Sequence, residues 1–350
     1  MNSIRFCCPH CFTEKNIAQF ILKQGDYRTI CSYCETENVQ TVDPKLIFQF
    51  VEKFVYGLKE DSSGKTLFNV LNEDFCFFED RVVDKSSLLV SILEGNSDIL
   101  KKNYLVPDLE SIKNSWVEFC QEITTKNRFF PQTALYKNIF TNTKQGDGEQ
   151  INTFILLVES LSKSYATERC FYRARVHEDK LLIEEMRAPP SIAVTPGRAN
   201  PIGISYLYLA ENEKTCIAEV RPSNGSLVSV ATFNLRNVLN ILDLTNPRKK
   251  ASFLLQESEN LEDSLFHIHL LEIFAEELSK PVLPNRSHLD YIPTQFICEF
   301  FKTVCGFDGL VFNSSFGNGK NIVLFDQELV KGQSMKYFRI SSIDHNYNLD

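Results

Sequence analysis

The chain has no surplus of positive charge. Against 45 acidic residues it sets 37 lysines and arginines, a formal net charge of -8. A general nucleic-acid coat or a binder of anionic membrane surfaces needs the opposite balance, which argues against both. Long apolar runs are missing too: a stretch such as Ile151 to Val158 falls far short of the roughly 20 residues of a membrane helix. There is no GxGxxG, which removes the dinucleotide fold used for redox chemistry. Gly317-Asn318-Gly319-Lys320 is not a phosphate loop, because that pattern places four residues between its first glycine and the GK pair. It reads as a hairpin turn. No internal repeat and no low-complexity tract occurs. Met1-Asn2-Ser3-Ile4-Arg5 runs straight into cysteines without the layout of a secretory leader.

Cysteine, by contrast, is plentiful. Eleven cysteines without a secretion signal predict reduced thiols, metal ligation and a cytoplasmic location. Cys8-Pro9-His10-Cys11 and Cys31-Ser32-Tyr33-Cys34 form two CxxC knuckles, the spacing of a four-cysteine structural zinc site. The predicted ligands are Cys8, Cys11, Cys31 and Cys34. Cys7 competes with Cys8, although Cys7 to Cys11 leaves a less common three-residue gap. Four thiolates leave no open position on the metal, so the expected role is to stabilise the fold.

Residues 1–42 therefore read as a zinc module and residues 43–145 as a helical domain. Asp43-Pro44 is a start signal, a cap followed by proline in the first turn. Leu46, Ile47, Phe50, Val51, Phe54 and Val55 then recur at helical period. Further helices are predicted over Phe68–Phe78, Ser86–Glu94 and Leu109–Thr124. The polar stretch Asn142–Gln150, with its two glycines, marks a boundary, and residues 146–350 form the third domain. A helix over Ile151–Leu161 leads into it. Short strands over Ser226–Phe233, Asn240–Leu244, Gly309–Phe312 and Asn321–Phe325 mix with helices over Ser264–Leu278 and Pro293–Cys305. The fold class is α+β, without the regular alternation of a doubly wound sheet.

Within this third domain Phe171 to Glu219 concentrates the polar groups that could build a cleft. Arg173 and Arg175 alternate along one strand, and Tyr206 and Tyr208 along another. Arg198 follows Gly197 in a backbone that must turn sharply, well placed to clamp a phosphate. Glu219 stands two residues before Arg221-Pro222, and its ordinary fate is a surface ion pair with Arg221.

Several separated segments here resemble the RES domain, named for its Arg, Glu and Ser. They are Tyr172-Arg173, Gly197-Arg198-Ala199-Asn200-Pro201-Ile202-Gly203, Leu207-Tyr208-Leu209-Ala210, and Thr215-Cys216-Ile217-Ala218-Glu219-Val220-Arg221. Asp308-Gly309-Leu310-Val311-Phe312-Asn313-Ser314 and Gly319-Lys320-Asn321-Ile322-Val323-Leu324-Phe325 complete the set. The resemblance implies a fold like that of the ADP-ribosyltransferases and NAD+ as substrate. It implies a toxin paired with an Xre-type antitoxin, degrading NAD+ by hydrolysis or phosphorolysis or passing ADP-ribose to a protein. By that resemblance Arg173 and Arg198 hold the pyrophosphate or ribose, Tyr208 stacks on the nicotinamide, Glu219 does the chemistry and Ser314 positions the nicotinamide ribose. Arg175 stands as the alternative to Arg173, Ser315 to Ser314, and Tyr206 shares the face of Tyr208. The N-terminal part resembles the zinc-knuckle and HEPN-like region before some RES domains. HEPN ribonucleases need an Arg and a His on one helix, and no histidine occurs between His10 and His177. The Arg339–His345 spacing lies in the tail, so a HEPN-like region here is expected to be catalytically inert and to regulate the site or receive a partner. A non-enzymatic interaction protein is the rival class, and homo-oligomerisation is left open.

Overall fold

The computed structural model describes residues 5–106, 108–141, 152–253, 261–280 and 287–342. The predicted boundary Asn142–Gln150 and the tail histidine His345 lie outside the described residues. The chain divides into two compact units, Met1–Ser115 with Lys144–Leu161 and Asn246–Glu272, and Trp116–Thr143 with Ser162–Thr245 and Ile273–Asp350.

The first unit begins with the cysteine knuckles, framed by the antiparallel strands β1 (Asp26–Ile30) and β2 (Glu37–Thr41). Asp43 caps as expected: its carboxylate accepts from the Lys45 amide at 3.0 Å, and Pro44 opens the first turn. That turn is a 3-10 helix, Pro44–Ile47, and the α-helix proper is Phe48–Tyr56. The tighter turn rotates Leu46 away from the predicted apolar face, and it is exposed. The helix predicted over Phe68–Phe78 stops at Asp74 in a π turn, Val70–Asp74. Cys76 has φ +48°, a left-handed conformation that no α-helix tolerates. Phe75 and Phe77 therefore reach the core from irregular backbone, where both pack edge-on against Phe54. A short antiparallel pair, β3 (Glu60–Thr66) and β4 (Asn103–Tyr104), interrupts a region predicted to be helical throughout.

The second unit is built on one sheet. Its strands are β5 (Ser162–Tyr165), β6 (Cys170–Val176), β7 (Leu207–Ala210), β8 (Leu227–Leu235), β9 (Leu239–Asp243), β10 (Gly309–Asn313), β11 (Lys320–Leu324) and β12 (Val330–Arg339). They lie in the order β12-β8-β6-β7-β11-β10-β9-β5. Every pairing is antiparallel except β9 with β10. A parallel pair needs a long crossover, and the residues between Asp243 and Gly309, helices included, supply it.

The alternation along β8 explains how both faces are filled. Ala231, Phe233 and Leu235 join Phe171, Leu207 and Leu209 in one apolar cluster, while Val228 and Val230 join Ala174, Ala210 and Cys216 in another. β12, ten residues long, has no counterpart among the predicted strands: its exposed positions are mostly polar, Met335 and Phe338 are half-buried and Val330 is buried. None of the described helices is long and apolar enough to cross a membrane. Phe233, 2% exposed, anchors the larger cluster. Truncation to alanine, Phe233→Ala, is expected to lower stability by about 3–5 kcal/mol, read as a fall in the urea midpoint at unchanged slope.

Candidate active site

β6 and β7 pair through Tyr172 against Ala210 and then part. A cavity of about 590 Å³ opens at this place, with Tyr172, Arg173 and Ala174 on one side and Tyr208, Leu209 and Ala210 on the other. Its volume lies in the range of small-molecule sites, roughly 300–1,000 Å³.

The carboxylate comes from the segment after β7. Asn212 caps the helix Glu213–Glu219 by accepting from the Thr215 amide at 2.9 Å, and Glu219 is the last residue of that helix. The loop between β10 and β11 packs on the same helix so closely that a Cβ at Gly319 would lie 1.8 Å from the Thr215 hydroxyl. Only glycine permits this approach, and it brings two donors to the glutamate. Ser314 donates from its hydroxyl to Glu219 Oε1 at 2.6 Å, and Asn321 donates from Nδ2 to the same oxygen at 2.7 Å. Ser314 and Asn321 are both 8% exposed. Glu219 is thus held by two neutral donors on one oxygen and lines the cavity. The expected ion pair with Arg221 does not form, because the Arg221 guanidinium lies over the Phe316 ring, 4.6 Å from its centre.

The opposite wall carries the arginines. Arg173 donates to the Tyr208 carbonyl at 3.4 Å, and no carboxylate pairs with it among the described residues. Burial pushes its guanidinium down to about 10, with the like charge of Arg175 adding to the effect, so it stays charged at neutral pH. Arg175 points elsewhere and donates to the Arg187 carbonyl at 3.1 Å. Arg198 lines the cavity while its Nη1 donates to the carbonyls of Leu278 and Ser279, at 2.9 and 3.3 Å. Those carbonyls end the helix Leu261–Ser279, where a cation is favoured.

Tyr208 is a cavity wall with a structural hydroxyl. It accepts from the Ala199 amide at 3.0 Å and donates to Asn200 Oδ1 at 2.7 Å, while burial pushes the phenol upward so that it stays protonated. A Cβ at Gly197 would lie 2.5 Å from that hydroxyl, which explains a glycine beside Arg198. From the helix Ile292–Thr303, Gln295 donates to the carbonyls of Gly197 and Asn200, and Thr294 to that of Arg198. Tyr206 is not brought into the cavity. It precedes β7 by one residue and packs on Phe325, ring centres 4.9 Å apart. Ser315 does not contact Glu219; its hydroxyl is buried with no partner among the described residues.

Residues 171–342 match the family model described as the RES domain. The chain carries a RES domain. Arg173, Glu219 and Ser314 all fall within the matched span, and Ser314 bonds directly to Glu219. A chain in the crystal structure of the M. tuberculosis MbcT-MbcA toxin-antitoxin complex is similar at 12% identity and a TM-score of 0.31, over 53% of this chain and 92% of that one. No curated protein matches. The supporting residues of this RES domain, Asn321, Gln295 and Thr294, escaped the sequence reading. Asn321 carried one signal: it is the lone amide in an otherwise apolar strand.

In the first unit the four sulfurs of Cys8, Cys11, Cys31 and Cys34 all lie within 4.8 Å of one another. The separations Cys8–Cys11, Cys8–Cys34 and Cys11–Cys31 are 3.9, 3.4 and 3.5 Å. Four thiolates at about 2.3 Å from a tetrahedral metal stand about 3.8 Å apart, so the donor set fits a metal. Cys7 is outside it, with its sulfur 3.8 Å from the Val42 carbonyl. His10 is exposed.

Because one phenol hydroxyl ties Ala199 and Asn200 beside Arg198, Tyr208→Phe is expected to leave a buried donor and a buried acceptor unmatched. The cost is about 1–3 kcal/mol in chemical denaturation, together with faster proteolysis in the segment around Gly197.

Proposed function

We propose that this RES domain cleaves NAD+ at the nicotinamide–ribose bond, as a toxin or defence effector in the cytoplasm under the control of an Xre-type antitoxin. The observation that carries the reading is the fixed carboxylate of Glu219, facing a cavity walled by Arg173 and Arg198 that have no carboxylate partners among the described residues. Two guanidiniums suit a diphosphate, and one carboxylate suits a sugar that becomes cationic.

The chemistry follows from the bond that breaks. The C1′–N1 bonding pair leaves with nicotinamide, which departs neutral and needs no general acid. The ribose carbon gains oxocarbenium character, as in glycoside cleavage. Glu219 stabilises that charge through the oxygen not already taken by Ser314 and Asn321, or orients a ribose hydroxyl. An acceptor oxygen then bonds to C1′ and gives up a proton. With water the products are ADP-ribose and nicotinamide; with phosphate the sugar keeps a phosphoryl group. Tyr208 offers an aromatic wall to the nicotinamide, and Arg173 and Arg198 bind the diphosphate.

The four thiolates of the first unit are assigned a structural zinc ion. A closed thiolate set has no site for substrate, so the metal contributes folding energy and takes no part in turnover.

Purified protein incubated with NAD+ is expected to release nicotinamide, followed by NMR with and without phosphate. Glu219→Gln keeps the shape and removes the charge, with an expected fall of about 100- to 1,000-fold in kcat. Undiminished turnover in that variant would sink the mechanism, and ADP-ribose found only on protein would mean a transferase. Asn321→Ala is expected to lower kcat more than it changes KM, since its main effect is to free the Glu219 carboxylate. Metal analysis is expected to find one zinc per chain, and Cys31→Ser to lose it together with thermal stability.

A further inference from the structure

We propose that Arg221 is a further substrate-binding residue, meeting the phosphate groups of the ligand at the mouth of the cavity. This rests on the NAD+ reading above, and three observations lead to it.

First, Arg221 sits in a backbone conformation that suits another residue. Its φ is +46°, and its amide donates to the Ala218 carbonyl at 3.1 Å, just past the end of the helix Glu213–Glu219. Helices commonly end in this way on glycine, because a Cβ there meets the following carbonyl. An ordinary side chain is strained at such a place. Arginine has nothing in its backbone to recommend it, so its side chain is the reason for the choice.

Second, the side chain is aimed and not wandering. The guanidinium carbon stands 4.6 Å from the centre of the Phe316 ring. Phe316 is itself fixed, its amide donating to the Ser314 hydroxyl at 3.1 Å, and that hydroxyl binds Glu219. Stacking uses the face of the guanidinium and leaves its in-plane N–H fork free for an anion.

Third, that fork lacks an acidic partner. Glu219, two residues away, is occupied by Ser314 and Asn321, and no ion pair to Arg221 occurs among the described residues. Arg221 nevertheless lines the cavity while remaining exposed, which places its charge at the solvent end. With Arg173 and Arg198 it makes three guanidiniums against one carboxylate around this cavity. A ligand carrying two phosphates balances that excess, and the sugar–nicotinamide end is left to Glu219.

The test uses Arg221→Gly in the full chain, with calorimetric titration of ADP-ribose, adenosine and inorganic pyrophosphate. Expected are a rise of about 10- to 100-fold in Kd for ADP-ribose and a parallel loss of pyrophosphate binding. Adenosine binding should not change, and the melting temperature should hold or rise, because glycine relieves the backbone. A merely structural Arg221 would give the opposite pattern, a lower melting temperature and equal losses for all three ligands. That pattern, an unchanged Kd for ADP-ribose, or a wild-type chain that binds neither phosphate ligand at millimolar concentration would overturn the proposal. NAD+ turnover by Glu219→Gln is read separately, so a failure of the cleavage reading is not mistaken for a failure of Arg221.

Discussion

One missing stretch of ladder, the parting of β6 from β7 after Tyr172 and Ala210, sets up everything around the cavity. A continuous sheet would satisfy its backbone and leave no room. By separating, the two strands create a concave space inside a sheet whose faces are otherwise packed. Each neighbouring strand then contributes from its own end: β6 brings Arg173, β7 brings Tyr208, and β11 brings Asn321. Their places in β6, β7 and β11 let these groups keep their spacing without a ligand to organise them.

Charge is distributed around this opening in an unusual way. Buried guanidiniums normally find carboxylates, and Arg248 in the first unit does so, bonding to both oxygens of Glu272. Arg173 and Arg198 find only carbonyls. Glu219, conversely, is held by a hydroxyl and an amide and by no cation among the described residues. Keeping the two signs apart within one cavity leaves each available to a ligand that carries its own complement. Direct pairing would leave neither charge open to a ligand.

Two glycines carry more of this geometry than any polar residue. Gly319 lets the loop bearing Ser314 lie against the helix bearing Glu219, and Gly197 lets Tyr208 brace the turn bearing Arg198. Gly319 meets a segment remote in the chain, whereas Gly197 meets residues shortly after it, Asn200 and Tyr208. The cysteine cluster forms where the turn between β1 and β2, which carries Cys31 and Cys34, meets the turn that carries Cys8 and Cys11.

Local pattern was enough for much of this protein. The knuckle spacing named Cys8, Cys11, Cys31 and Cys34, Asp43-Pro44 named a helix start, and period-2 and period-3.6 runs named most strands and helices of the second unit. Those features depend on neighbours within a few residues, which a sequence displays directly. Arg173, Arg198, Tyr208, Glu219 and Ser314 were visible through the resemblance their segments carry. What only the tertiary structure decided were matters of distant juxtaposition. Whether Glu219 meets Arg221 or Ser314, whether Tyr206 joins Tyr208 in the cavity, and whether Cys76 breaks a helix all turn on packing against residues remote in sequence. Gln295 was silent for the same reason, and Asn321 nearly so: an amide in a strand or helix has no partner until the fold supplies one.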